Sequence, residues 1–154
     1  NLSSVPFAII TSEEEFVLSF DERENLKHFL DSGGFLFCDN ALGTSRESPV
    51  ETSFLKMIAA LYGAKAKTGP VPNDHPLYHT LFEFPDGPPV IRTGSVVNSG
   101  PLTGVWIDDR LVAVFSNMGM SITWSGSEGN ILQLKMGVNM IIFALTQRQG
   151  LVLK

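Results

Sequence analysis

The chain opens on an apolar run, Phe7-Ala8-Ile9-Ile10, that turns polar at Thr11 and Ser12. A short continuous apolar segment of this kind predicts a strand buried in a parallel sheet. A helix is predicted next. Ser19 with Glu22 three residues on fits a capping box, and Asp21, Glu22 and Glu24 load the first turn with negative charge. Leu26, Phe29 and Leu30 give this helix its apolar stripe. Gly33-Gly34 ends it, since glycine accepts the left-handed backbone a helix C-terminus often needs. Phe35-Leu36-Phe37-Cys38 then predicts a second buried strand, and strand, helix and strand together make a right-handed βαβ unit.

A polar loop, 39–45, leaves that strand and leads to a helix over about 50–62, with Phe54, Leu55, Ile58 and Leu61 at helical spacing and Gly63 as its stop. The stretch 69–89 is proline-rich and reads as irregular, with a short helix starting at Pro76. No strand stands out over 90–100. Val105-Trp106-Ile107 and Leu111-Val112-Ala113-Val114-Phe115 flank Asp108-Asp109-Arg110, the pattern of an antiparallel hairpin with a tight polar turn. Residues 116–130, rich in glycine, serine and asparagine, read as a long loop. A last helix follows, N-capped by Asn130, with Ile131, Leu134, Val138, Ile141, Ile142 and Leu145 as its expected buried stripe. The expected fold is a three-layer α/β sandwich with a mostly parallel central sheet and an added antiparallel hairpin. No repeat or linker divides the 154 residues, so a single domain over 1–154 is expected.

Composition narrows the function classes. Hydrophobic residues make up 44% of the chain and charged residues 18%, which excludes disorder over most of it. A formal net charge of −5 argues against a nucleic-acid partner, which needs a basic face to displace counterions. The triplet Glu13-Glu14-Glu15 reads as a solvated surface. Cys38 is the one cysteine, so no intrachain disulfide forms. No apolar run is long enough to span a bilayer. The start, Asn1-Leu2-Ser3, has neither an initiator Met nor a signal-peptide pattern, which suggests a fragment or a processed product.

An ordered set of segments carries a family resemblance: Pro6-Phe7, the stretch 20–30, Gly33-Gly34-Phe35-Leu36 with Asp39, and Asp74-His75-Pro76-Leu77-Tyr78-His79. It continues with Gly104, the stretch 110–114, Ser116-Asn117, Gly137-Val138-Asn139 and Phe143-Ala144-Leu145. In these the chain resembles the bacterial family known as domain of unknown function 4159, a relative of the class I glutamine amidotransferase-like domains. The resemblance implies a flavodoxin-like sheet and an exported or membrane-associated setting, and it supplies no activity. The chain departs from the pattern in two places. An N-terminal α/β segment usual before Pro6 is absent, which implies an incomplete sheet or an edge filled by another chain. An acidic residue usual soon after Ser116-Asn117 is also missing around 118–121.

Open α/β sheets bind ligands beyond the carboxyl ends of their parallel strands. That edge picks out Thr11, Ser12, Asp39 and Asn40, with Thr44 and Ser45 beyond them, and Asn117 at the end of the hairpin. Asp39 at a strand end suits a cation or hydroxyl ligand, or equally a loop or helix cap. Cys38 is the one candidate thiol nucleophile. A nucleophile elbow needs small residues around it, whereas Cys38 has Phe37 and Asp39 beside it and Leu36 and Asn40 beyond, so a buried inert thiol is the alternative. His75 and His79, four apart beside Asp74, have a spacing that suits a metal or a general base, although Pro76 biases His75 away from helical geometry. Gly33-Gly34 precedes a strand and so is no phosphate loop. Trp106 and Trp124 read as core or interface residues, and Asn139 as a helix polar group bonded to a neighbouring loop.

Three functions compete. The first is a non-catalytic binding or assembly domain of a larger bacterial protein. The second is a hydrolase or amidotransferase using Cys38 with His75 or His79. The third is a metal-dependent enzyme using Asp74, His75 and His79. Under the first, no cofactor and no resident metal are expected. Its partner would be a small molecule, a protein or another copy of the chain.

Overall fold

The computed structural model describes residues 4–126 and 129–148. The predicted βαβ unit is present as β1 (Phe7–Ser12), α1 (Phe20–Asp31) and β2 (Phe35–Asn40), with β1 and β2 parallel. Both halves of the capping box form on α1. The Ser19 side chain accepts from the Glu22 N–H, and the Ser19 N–H donates to Glu22 Oε2 at 2.7 Å. Gly34 is required by close approach, because a Cβ there would lie 2.4 Å from the buried Phe29 ring.

The remaining elements are α2 (Pro49–Tyr62), β3 (Lys67–Pro70), β4 (Ile91–Thr93), β5 (Val96–Asn98), β6 (Thr103–Ile107), β7 (Arg110–Ser116), α3 (Met120–Thr123) and α4 (Ile131–Arg148). One sheet has five strands in the order β1-β2-β7-β6-β3. β1, β2, β7 and β3 point one way and β6 the other, so the sheet is mostly parallel. The expected hairpin is β6–β7, and it is built into this sheet, with β7 parallel to β2 at its centre. Asp108 (φ 48°) and Asp109 (φ 65°) take the left-handed turn between its strands, a region aspartate tolerates better than most residues. β4 and β5 form a separate small antiparallel hairpin.

Strand alternation sends side chains into two apolar layers. Phe35, Phe37 and Val114 pack with Met136, Met140 and Phe143 of α4, and with Leu77, Tyr78 and Leu102 from the irregular stretch. Leu36, Cys38, Val112 and Phe115 pack with Leu26, Phe29 and Leu30 of α1 and with Phe54 and Ile58 of α2. Helices α1 and α2 thus cover one face and α4 the other.

Four expectations need correction. β1 is a strand as expected but not a buried one: it lies at an edge of the sheet, none of its residues is buried and Ile9 is 46% exposed, whereas β2 is buried throughout. The stretch 69–89 opens inside β3, whose partner is β6, and Pro76 starts a single 3₁₀ turn, Pro76–Tyr78. The expected loop 116–130 contains the short helix α3, entered through Gly119 at φ 75°, while Ser127 and Glu128 lie outside the described residues. The expected stripe of α4 is not its buried face. Gln133, Met136, Asn139, Met140, Phe143 and Ala144 are buried, whereas Ile131, Leu134, Val138, Ile141 and Leu145 are exposed. Asn130 also differs from a simple cap, because its side-chain amide donates to the Thr123 and Gly126 carbonyls at 2.7 and 2.8 Å.

Candidate functional site at the carboxyl edge of the sheet

Sheet register brings the polar strand ends together. Thr11 lies beside Asp39, Asp39 beside Ser116, and Ser12 beside Asn40. Because side chains alternate, these residues split into one cluster on the α3–α4 face and another on the α1–α2 face.

On the α3–α4 face, Asp39 is fully buried. Its Oδ2 accepts the Ser121 backbone N–H at 2.7 Å and the Ser121 hydroxyl at 2.6 Å, so the carboxyl holds the start of α3. Thr11 Oγ1 lies 3.1 Å from Ser121 Oγ, which links the surface to the buried acid. Asp39 Oδ1 has no hydrogen-bond partner among the described residues. Burial raises the Asp39 pKa, and the bonds from Ser121 only partly offset it.

On the α1–α2 face, the side chain of Asn117 is fixed by a ring of hydrogen bonds. Ser48 Oγ donates to Asn117 Oδ1 at 2.6 Å, Asn117 Nδ2 donates to Glu51 Oε2 at 2.7 Å, and the Glu51 N–H donates back to Ser48 Oγ at 3.1 Å. Asn40 Nδ2 adds a bond to Asn117 Oδ1 at 3.3 Å. Ser48 is the N-cap of α2, so the ring welds a helix start to the end of β7. Above it opens a cleft of about 200 Å³ between the β2–α2 loop and the β5–β6 loop. Arg46, Glu47, Ser99 and Thr103 line it together with Glu51 and Asn117. The cleft therefore offers hydroxyls, carboxylates and one guanidinium.

Cys38 sits in the α1–α2 apolar layer and is fully buried. Burial pushes its thiol pKa far up, and the adjacent Asp39 charge adds to the rise. The two candidate imidazoles lie elsewhere. The His75 ring packs against Phe143 and Trp106, with centroids 5.5 and 6.5 Å apart, and Phe143 in turn packs on Phe35 at the opposite end of β2. His75 Nδ1 accepts the Leu77 N–H at 3.1 Å and so caps the 3₁₀ turn, and burial lowers its pKa. His79 has one ring nitrogen 2.5 Å from Glu83 Oε2 and the other 2.8 Å from the Asn73 carbonyl, contacts that raise its pKa. Among the described residues no group of three His, Cys, Asp or Glu side chains could hold a metal ion.

Of the expected site residues, Asn40 and Asn117 meet in one network, and Thr11 and Asp39 meet in the other through Ser121. Ser12 turns back on its own loop, its hydroxyl donating to the Glu14 carbonyl at 2.8 Å. Sequence reasoning missed Ser48, Glu51 and Ser121. Ser48-Pro49-Val50-Glu51 carries a readable cap signal, a serine with glutamate three residues on. Nothing in the sequence shows that the Glu51 carboxylate turns to Asn117. Ser121 lies in the segment read as loop.

Fold and site together define a mixed α/β protein with its polar groups gathered at the carboxyl edge of a mostly parallel sheet. The chain belongs to the family described as Domain of unknown function (DUF4159), whose pattern matches residues 1–145. No curated protein matches it. No helix among the described residues is long and apolar enough to cross a membrane.

Proposed function

We propose that this chain is a non-catalytic binding domain of a larger bacterial protein, on a glutamine amidotransferase-like fold, and that it holds a small polar ligand in the cleft beside Asn117. The observation that carries this reading is the position of Cys38. Its sulfur is enclosed by the α1–α2 apolar layer, while both candidate imidazoles engage other groups around the 3₁₀ turn. A thiol with its pKa raised by burial and no base within reach does not ionise at neutral pH. The Asn117 ring, by contrast, is rigid and opens onto solvent. Rigid polar groups at a strand-end cleft suit recognition of an amino-acid-like or polyol ligand, with Arg46 and the acids giving it orientation.

The test has two arms. Cys38 in the folded chain should react with a thiol reagent at least 100-fold more slowly than in the urea-unfolded chain, and equal rates would restore the thiol enzyme as the better reading. Free amino acids and sugars screened by thermal shift should yield a stabilising compound, with the shift lost in Arg46→Ala.

A further inference from the structure

The stretch 72–87 folds back on itself between β3 and β4. The Pro72 carbonyl accepts the His75 N–H at 2.9 Å, the Tyr78 carbonyl accepts the Phe84 N–H at 3.0 Å, and the Phe84 carbonyl accepts the Gly87 N–H at 3.1 Å. Its two ends meet, since a Cβ on Gly87 (φ 84°) would lie 2.7 Å from Asn73 Oδ1. Leu77, Tyr78 and Phe84 sink into the core, and Asn139 of α4 holds residues 80–82. The ring of His79 bonds to both arms of this loop, to Asn73 before it and to Glu83 after it.

Both ring nitrogens of His79 face atoms that accept. Nε2 lies 2.8 Å from the Asn73 carbonyl, which has no proton to give. Nδ1 lies 2.5 Å from Glu83 Oε2, on a side chain 73% exposed to water that carries its charge at neutral pH. A neutral imidazole has one N–H and one lone pair, so it satisfies one of these partners and turns a lone pair on the other. The imidazolium donates to both. The charged groups that face the ring act in the same sense, because Glu83 from the following segment and Asp74 from the preceding one both favour the cation. α4 packs against this turn and contributes Lys135, whose ammonium is taken up over the Phe82 ring, 5.0 Å from its centroid. His75, the other imidazole of the turn, packs its ring against Phe143 and Trp106.

We propose that His79 is a proton-dependent clasp: as the imidazolium it bridges Asn73 and Glu83 and closes the loop 72–87, and as the neutral ring it releases the Glu83 arm. Glu83 is the arm that yields, because its exposed carboxylate exchanges the ring for water, whereas the Asn73 carbonyl is fixed in the backbone. The two contacts raise the His79 pKa above the ordinary 6.5, with the Glu83 bond the largest cause. Stability from the clasp is therefore complete below the unfolded value and is lost as pH rises through the native one. The arm that loosens carries the N–H groups of Leu81 and Phe82 that bond to Asn139, so the proton on His79 is read out where the loop meets α4.

Nuclear magnetic resonance titration of the imidazole rings should place the His79 midpoint above 6.5, with both ring nitrogens protonated below it. Hydrogen exchange, corrected for the intrinsic rate at each pH, should show the Phe82 and Phe84 N–H groups losing protection as pH rises past that midpoint. Glu83→Gln keeps the reach and puts an amide in place of the carboxylate, and an amide can donate to the neutral ring. In that variant the His79 midpoint should fall and the protection should no longer change over this pH range, with an unchanged far-ultraviolet circular dichroism spectrum. A wild-type midpoint at or below 6.5 overturns the proposal, and so does wild-type protection of these amides that does not respond to pH. A Glu83→Gln chain that loses protection over the same range as the wild type overturns it as well.

Discussion

Asp39 anchors the start of a helix in the fold, one of the two roles its place at a strand end offers. At a strand end its carboxyl suits a hydroxyl or cation ligand or equally a loop or helix cap, and Ser121 at the start of α3 donates to its Oδ2. Nothing local in the sequence marks the contact, because 82 residues separate the two. The fold holds Asp39 in an environment that favours its neutral form, raising its pKa above the ordinary value of 3.8. Protonated Asp39 therefore contributes stability that is complete below about pH 4 and is lost as pH rises through the native pKa. Glu22 works in the opposite sense. The Ser19 backbone N–H lowers its pKa, so its contribution is present above its unfolded pKa and is lost as pH falls. Asp39→Asn removes the first titration and keeps an acceptor for Ser121. Urea unfolding at pH steps upward from about 4 should then show the variant gaining on the wild type as pH rises. A difference that is constant over that range, or that narrows, would show that Asp39 is not held toward its neutral form.

At the scale of elements, sequence signals that are local were legible. The Ser19 capping box, the Gly33-Gly34 stop, the apolar runs of β1 and β2 and the Asp108-Asp109 turn all depend on residues a few positions apart, and each forms where expected, although β1 is a half-exposed edge strand and not a buried one. Elements defined by distant partners were not. β3 is four mostly exposed residues, Lys67–Pro70, made a strand only by pairing with β6. In α4 the heptad stripe is the stronger periodic signal, while the buried face is made partly of Gln133, Met136, Asn139 and Met140, which a hydrophobic count scores lower. The candidate site divides the same way. Its position at the carboxyl edge follows from the parallel βαβ unit, whereas the ring through Ser48, Glu51 and Asn117 is long-range chemistry. Asn139 was legible as a bonded polar group, and its role is specific. Its Oδ1 accepts the Leu81 and Phe82 N–H groups at 3.2 and 2.9 Å, and its Nδ2 donates to the Phe82 carbonyl at 2.8 Å. Asn139→Ala strands these backbone groups next to a buried position. The cost should be about 2–4 kcal/mol in chemical denaturation, since each unsatisfied buried group costs about 1–3 kcal/mol. A loss below about 0.5 kcal/mol, the range of neutral surface changes, would mean that water replaces the amide and the segment is not held by it.

The molecule as a whole depends on groups that join its layers at the end of the sheet opposite the polar clusters. Arg110, at the start of β7, donates through Nη2 to the Leu30 carbonyl at the end of α1. Its Nη1 donates to the Gly34 carbonyl and to Gln147 Oε1 of α4, both at 3.3 Å. Gln147 Nε2 returns a bond to the Leu111 carbonyl at 2.9 Å. One guanidinium thus satisfies α1 on one face of the sheet and α4 on the other, a fork that a lysine ammonium cannot reproduce. Arg110→Met keeps most of the apolar stem and removes every donor, leaving the Gly34 carbonyl without this partner and the Leu30 carbonyl with backbone N–H groups alone. Hydrogen bonds to charged groups are worth about 1.5–3 kcal/mol each, and solvent at this half-buried site recovers part of that, so a net loss of about 2 kcal/mol is expected. For a chain of this size each kcal/mol moves the melting temperature by about 2–4 °C, which sets the expected drop at about 4–8 °C. Arg110→Lys should fall between the two, because one ammonium can serve α1 or α4 but not both. If methionine and lysine melt alike and within about 1 °C of the wild type, the layers are joined by apolar packing alone and the guanidinium is incidental to it.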